Sequence, residues 1–126
     1  MRWSLDARIP LSTMAPADLP ALLRDAVAFE RRTALLIPQT LEVLDTAGLP
    51  SARFEPGGPG HAAACACCGG RPPVSAALDQ LFQARIRGTC IWFDQVIALV
   101  PDEASRAEVE TALMNDPLTS ARFRPG

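Results

Sequence analysis

Thr33-Ala34-Leu35-Leu36-Ile37-Pro38 is an unbroken apolar run closed by a proline. A strand with one wet face alternates polar and apolar residues, whereas a short run without alternation suits a strand covered on both faces, as in a parallel sheet between helices. Upstream, Arg8 to Ser12 reads as a short strand leading into a Pro- and Ala-rich stretch, Thr13 to Pro20. Asp18 fits a helix N-cap there, and the pattern predicts a helix over 18–31. Leu19, Leu22, Leu23, Ala26, Val27 and Phe29 recur at near-helical spacing with Arg24, Asp25 and Glu30 opposite. Pro20 is tolerated in the first turn.

Downstream, Thr40 to Ala47 reads as a brief helix closed by Gly48 and Pro50, and Arg53-Phe54-Glu55 as a weak strand. Pro56-Gly57-Gly58-Pro59-Gly60 reads as a loop. Pro72 and Pro73 open a helix with the stripe Val74, Leu78, Leu81, Phe82 and Ile86, ending near Gly88. Ile91 to Val100 is the strongest strand pattern, Asp102 to Met114 the last clear helix, and Asn115-Asp116-Pro117 breaks it before a short tail from Leu118 to Phe123. Strands that alternate with helices predict an α/β fold: a small three-layer domain with an open, mostly parallel sheet.

Composition narrows the function. The chain has 126 residues, 48% hydrophobic, with 12 basic against 14 acidic side chains and a net charge of -2. One globular domain over 1–126 is expected, and the acidic balance argues against nucleic acid as a partner. All the basic side chains are arginine, tyrosine is absent and His61 is the one histidine. Lysine Schiff bases, phosphate-gripping lysines and tyrosine chemistry are therefore unavailable. Asp6 and Arg8 interrupt any apolar leader, and Cys90 to Val100 is far shorter than the ~20 residues that span a bilayer. A cytoplasmic protein with no membrane partner is expected.

Cys65-Ala66-Cys67-Cys68 gathers three thiols within four residues, followed by Gly69-Gly70 and preceded by His61. Thiolates are soft donors that suit zinc or another thiophilic transition metal, and glycine lets backbone turn tightly enough for sulfurs to converge. Tetrahedral zinc needs a fourth ligand: His61 is preferred, with Cys90, water or a partner chain as alternatives. Inert or redox-active thiols are the competing readings, and Cys65 and Cys68 have the Cys-X-X-Cys spacing of thiol redox motifs. Cys90, at the start of an apolar strand, reads as a core residue, and Trp3 and Trp92 read as packing residues. Arg31-Arg32 and the pair Glu108 and Glu110 read as solvated helix faces.

These residues resemble a known family. Cys65-Ala66-Cys67-Cys68-Gly69-Gly70-Arg71, Phe93-Asp94-Gln95-Val96-Ile97, Asn115-Asp116-Pro117-Leu118 and Ala121-Arg122-Phe123-Arg124 look like the second part of the GTPase domain of CobW-type metallochaperones. Ile9 to Thr13, Leu22-Leu23 and Ala34 to Asp45 align loosely with the front of that domain. The resemblance implies a truncated P-loop GTPase fold and a metal site at Cys65, Cys67 and Cys68; the positive charge of Arg71, three residues after Cys68, is expected to lower the thiol pKa electrostatically.

The departures are as informative. A P-loop uses glycine-rich backbone, a lysine and a Ser or Thr for Mg²⁺. The equivalent stretch here is Thr13-Met14-Ala15-Pro16-Ala17-Asp18-Leu19-Pro20, and Ala98-Leu99-Val100-Pro101 replaces the family's Glu-rich turn. No nucleotide cofactor, no GTP hydrolysis and no enzymatic activity are expected. The chain corresponds to the family's N-terminal portion without its final strands and C-terminal domain, leaving a sheet edge that needs covering. The expected work is zinc storage, sensing or transfer; the alternative is a pseudo-GTPase scaffold with vestigial cysteines. Expected partners are a second copy, a full-length CobW-type relative or a metal-receiving protein.

Overall fold

The computed structural model describes residues 7–24, 32–42, 46, 48–55 and 72–126. His61, Cys65, Cys67, Cys68 and Arg71 lie outside the described residues, as do Trp3 and Arg31. Five strands form one sheet: β1 (Ile9–Met14), β2 (Thr33–Pro38), β3 (Ser51–Phe54), β4 (Gln95–Leu99) and β5 (Phe123–Pro125). The order across it is β3-β2-β4-β1-β5 and every pair is parallel. The helices are α1 (Leu19–Arg24), α2 (Pro73–Arg87), α3 (Glu103–Asn115) and α4 (Pro117–Arg122).

All six residues of β2 are buried, which is the physical content of its unalternating run. Alternation within the strand sends its side chains to two separate cores. Ala34 and Leu36 join Ile9, Leu11, Val96 and Ala98 under α2 and α3, where Val74, Leu78, Leu81, Val109 and Ala112 meet them. Leu35 and Ile37 join Ile97, Leu99 and Leu19 on the opposite face, with Leu22, Leu23, Leu41 and Leu49 packed against them. Helices on both faces of an all-parallel sheet make the three-layer α/β architecture expected from the sequence. Each buried aliphatic side chain contributes roughly 1.5–3 kcal/mol of transfer free energy.

Several boundaries differ from the sequence reading. Helical backbone begins before Asp18, in a 3₁₀ turn over Pro16–Asp18, so Asp18 sits inside the helical run instead of capping it. Of the described residues expected in a brief helix over 40–47, Thr40 instead lies within a turn closed by Leu41 N–H to Pro38 C=O at 3.0 Å. Strand β4 starts at Gln95, not at Ile91: Asp94 N–H donates to Arg32 C=O at 2.7 Å, and from there Thr33 lies opposite Gln95 and Leu11 opposite Val96. Ile91 and Trp92 project past the sheet and stand 68% and 45% exposed. Ile86, placed on the apolar stripe of α2, is exposed as well, whereas Val74, Leu78 and Leu81 are buried.

The tail holds more order than its sequence suggests. Pro117 ends α3 but serves as the first residue of α4, because a first-turn residue needs no amide donor. Asp116 caps that helix, accepting from Thr119 N–H at 2.9 Å and from the Thr119 hydroxyl at 2.7 Å. Phe123 then enters the core as the start of β5, edge-on to Phe82 at 6.2 Å between ring centroids. Among the described residues no helix is long and apolar enough to cross a membrane.

Candidate functional site at the C-terminal edge of the sheet

In a parallel sheet every strand ends at the same edge, and ligands favour the place where connections from adjacent strands leave toward opposite faces. Here that place lies between β1 and β4. Leu19 of α1 packs on one face, whereas Val109 and Ala112 of α3 pack on the other. The two strand ends are tied together by Val100 N–H donating to Met14 C=O at 2.9 Å. Arg106 of α3 reaches back across the junction, donating from Nη1 to Thr13 Oγ1 at 3.0 Å, with Glu103 3.7 Å from its Nε. Asp102 caps α3 by accepting from Ser105 N–H at 2.8 Å, and that bond lowers the carboxyl's pKa.

This junction is where a P-loop would cradle phosphates with open amides. The 3₁₀ turn uses its amides internally instead: Asp18 N–H donates to Ala15 C=O at 2.9 Å and Leu19 N–H to Pro16 C=O. Pro16 and Pro20 have no amide hydrogen to offer, and the exposed Asp18 carboxylate adds a charge of the wrong sign for an anion. The chemical consequence is a junction poor in convergent donors.

The cysteine segment is fixed to the same edge at both of its ends. It leaves the C-terminal end of β3, after Phe54 and Glu55, and returns at Pro72, just before the first turn of α2. Beside that return point Pro72, Pro73 and Val74 line a small cavity of about 230 Å³ together with Ala107, Glu108 and Thr111 of α3. Glu108, read as a solvated face residue, is only half exposed there and has a buried carboxylate oxygen, while Glu110 is exposed. Periodicity alone could not separate the two glutamates, because which side of α3 meets α2 is decided by tertiary packing.

Cys90 lies elsewhere. It follows the C-terminal end of α2, half-buried against the core under the helices. Burial pushes its thiol pKa up, and the nearby Arg85 guanidinium opposes that shift. Arg85 stacks 3.6 Å from the centroid of the Trp92 ring and donates from Nε to Phe93 C=O at 2.9 Å. Trp92 in turn donates from its indole nitrogen to Asp94 Oδ1 at 2.9 Å. Trp92, expected as a packing residue, packs on a cation at the surface. Among the described residues no group of three or more His, Cys, Asp or Glu side chains could hold a metal ion. No protein-family model, curated protein or solved structure matches this chain.

Proposed function

We propose that the protein binds zinc or another thiophilic transition metal through Cys65, Cys67 and Cys68, with His61 as fourth ligand, in metal storage, sensing or transfer. The observation that carries this reading is the placement of three thiols within four residues on a segment whose two ends attach to the ligand-binding edge of an all-parallel sheet. The CobW-type resemblance supports the same residues. The internally bonded, proline-bearing turn after β1 supports a relative that works without nucleotide hydrolysis. Without a nucleotide-driven switch, metal would leave by ligand exchange with a receiving protein or by oxidation of the thiols.

Thiols lose protons as metal enters, so affinity falls as pH drops below neutrality. The test is metal content of protein purified without added metal, beside a variant carrying Cys65→Ser, Cys67→Ser and Cys68→Ser together. Native protein is expected to hold one zinc per chain and the variant none. Equal metal content and equal affinity in the two would overturn the proposal in favour of a scaffold with vestigial cysteines.

A further inference from the structure

At the margin of the sheet opposite β3, strand β5 stops short of its neighbour. It pairs with Ile9 to Leu11, whereas β1 runs on to Met14. Met14 C=O accepts from Val100 N–H on the β4 side, and Leu11 C=O accepts from Gly126 N–H at 2.8 Å on the other. Backbone groups alternate in direction along a parallel strand, so those of Thr13 turn to the β5 side, beyond the last paired residue. Helix α3 overhangs this stretch, and between helix and strand lies a cavity of about 480 Å³. That volume falls within the range of roughly 300–1,000 Å³ that holds small molecules, and the lining is mostly apolar, as in such sites.

The cavity is polarised along its length. Helix α3 runs against the strands, because it starts just after the end of β4 and leads back to the start of β5. Thr13 and Glu110 therefore stand toward the edge where the strands finish, and Leu11, Leu113 and Met114 lie farther from it. Leu11 and Leu113 are buried, while Met114 is 79% exposed at the rim, an unbranched thioether chain that adapts to what packs against it. Glu110 is the one charged lining residue. The cation one turn earlier on α3, Arg106, is engaged by Thr13 Oγ1 at 3.0 Å and by Glu103 at 3.7 Å. Among the described residues no hydrogen bond or ion pair engages the Glu110 carboxylate.

We propose that this cavity binds a small amphipathic cation, an alkyl- or arylalkylammonium, with its head at Glu110 and its hydrocarbon body along Leu11, Leu113 and Met114. Charge fixes the sign of the head: an anion would meet the Glu110 carboxylate with Arg106 already occupied. An ammonium carries three donors, and Thr13 C=O is a second acceptor on the cavity side. The hydrocarbon body gains by leaving water for the apolar walls. The site lies across the sheet from β3, where the cysteine segment attaches, and needs no metal.

Titration with octylammonium, octanol and octanoate, followed on the backbone amides by NMR, tests this with one tail and three heads. Saturable shifts centred on Thr13, Glu110, Leu113 and Met114 are expected. Octylammonium should bind roughly two- to fivefold more tightly than octanol, with octanoate the weakest, and added salt should narrow that margin. Glu110→Gln should remove the margin and leave octanol affinity unchanged. Met114→Lys sets a cation one turn after Glu110, where it pairs with the carboxylate, and should weaken octylammonium most. Both positions are exposed, so both variants are expected to fold, which circular dichroism checks. Octanoate binding as tightly as octylammonium, shifts centred on other residues, or no saturable binding would overturn the proposal. So would a Glu110→Gln chain that keeps the full margin.

Discussion

Trp92 and Phe93 are adjacent aromatics with opposite fates, and their difference is measurable. Phe93 is fully buried and packs within the core under the helices, while Trp92 stands at the surface beneath the Arg85 guanidinium. Phe93→Ala removes a core ring and should cost roughly 3–5 kcal/mol in urea-unfolding free energy. Trp92→Ala loses mainly a cation–π contact and should cost about 1 kcal/mol or less. Comparable losses for the two would mean that Trp92 also supports the core. Nothing in the local sequence separates them, because both sit in one apolar run. The distinction arises where β1 and β2 begin, and those strands are tens of residues away in the chain. At Arg85, burial lowers the pKa while the nearby Asp94 and Cys90 raise it.

At the scale of elements, the ends of helices carry more of the code than their middles. Gly88 closes α2 in the left-handed region at φ 72°, its N–H bonded to Ala84 C=O. A Cβ at that position would meet no atom within 4 Å, so Gly88→Ala isolates the backbone term. The variant should lose about 1 kcal/mol, read as a lower unfolding midpoint at an unchanged denaturant slope. The Pro72-Pro73 opening, the Gly88 stop and the both-sided burial of β2 were legible because each rests on a local steric or covering rule. The tail was not. Pro117 signals a stop for α3 and a start for α4 with the same ring, and Phe123–Pro125 is too short a strand to show periodicity. Only its register against Ile9 to Leu11 makes it a strand. For the candidate site, the sequence supplied the thiols, while the edge to which their segment is anchored became visible only from the strand order.

The parallel sheet gives the whole molecule two chemically different ends, and this bears on which groups share a metal. The cysteine segment attaches where the strands finish, beside the first turn of α2, whereas Cys90 follows the last turn of that helix. Fifteen helical residues separate the two places, a rise of about 22 Å. Cys68 is four residues from Pro72, and even a fully extended link of that length reaches at most ~14 Å. A link stretched straight down the helix would thus stop roughly 8 Å from Cys90, a gap that the metal and two side chains could span only at full extension, and the Cys90 thiol is partly covered by the core. For the proposed metal site this favours a fourth ligand from the sheet's C-terminal edge or from the segment itself, where His61 belongs by sequence. Cys90→Ser should leave zinc stoichiometry and affinity unchanged, and His61→Ala should weaken affinity while sparing the three thiolates. Competition against a chromophoric chelator measures both. Loss of zinc from the Cys90→Ser protein, with its fold intact by circular dichroism, would place that thiol in the shell and overturn the assignment of His61.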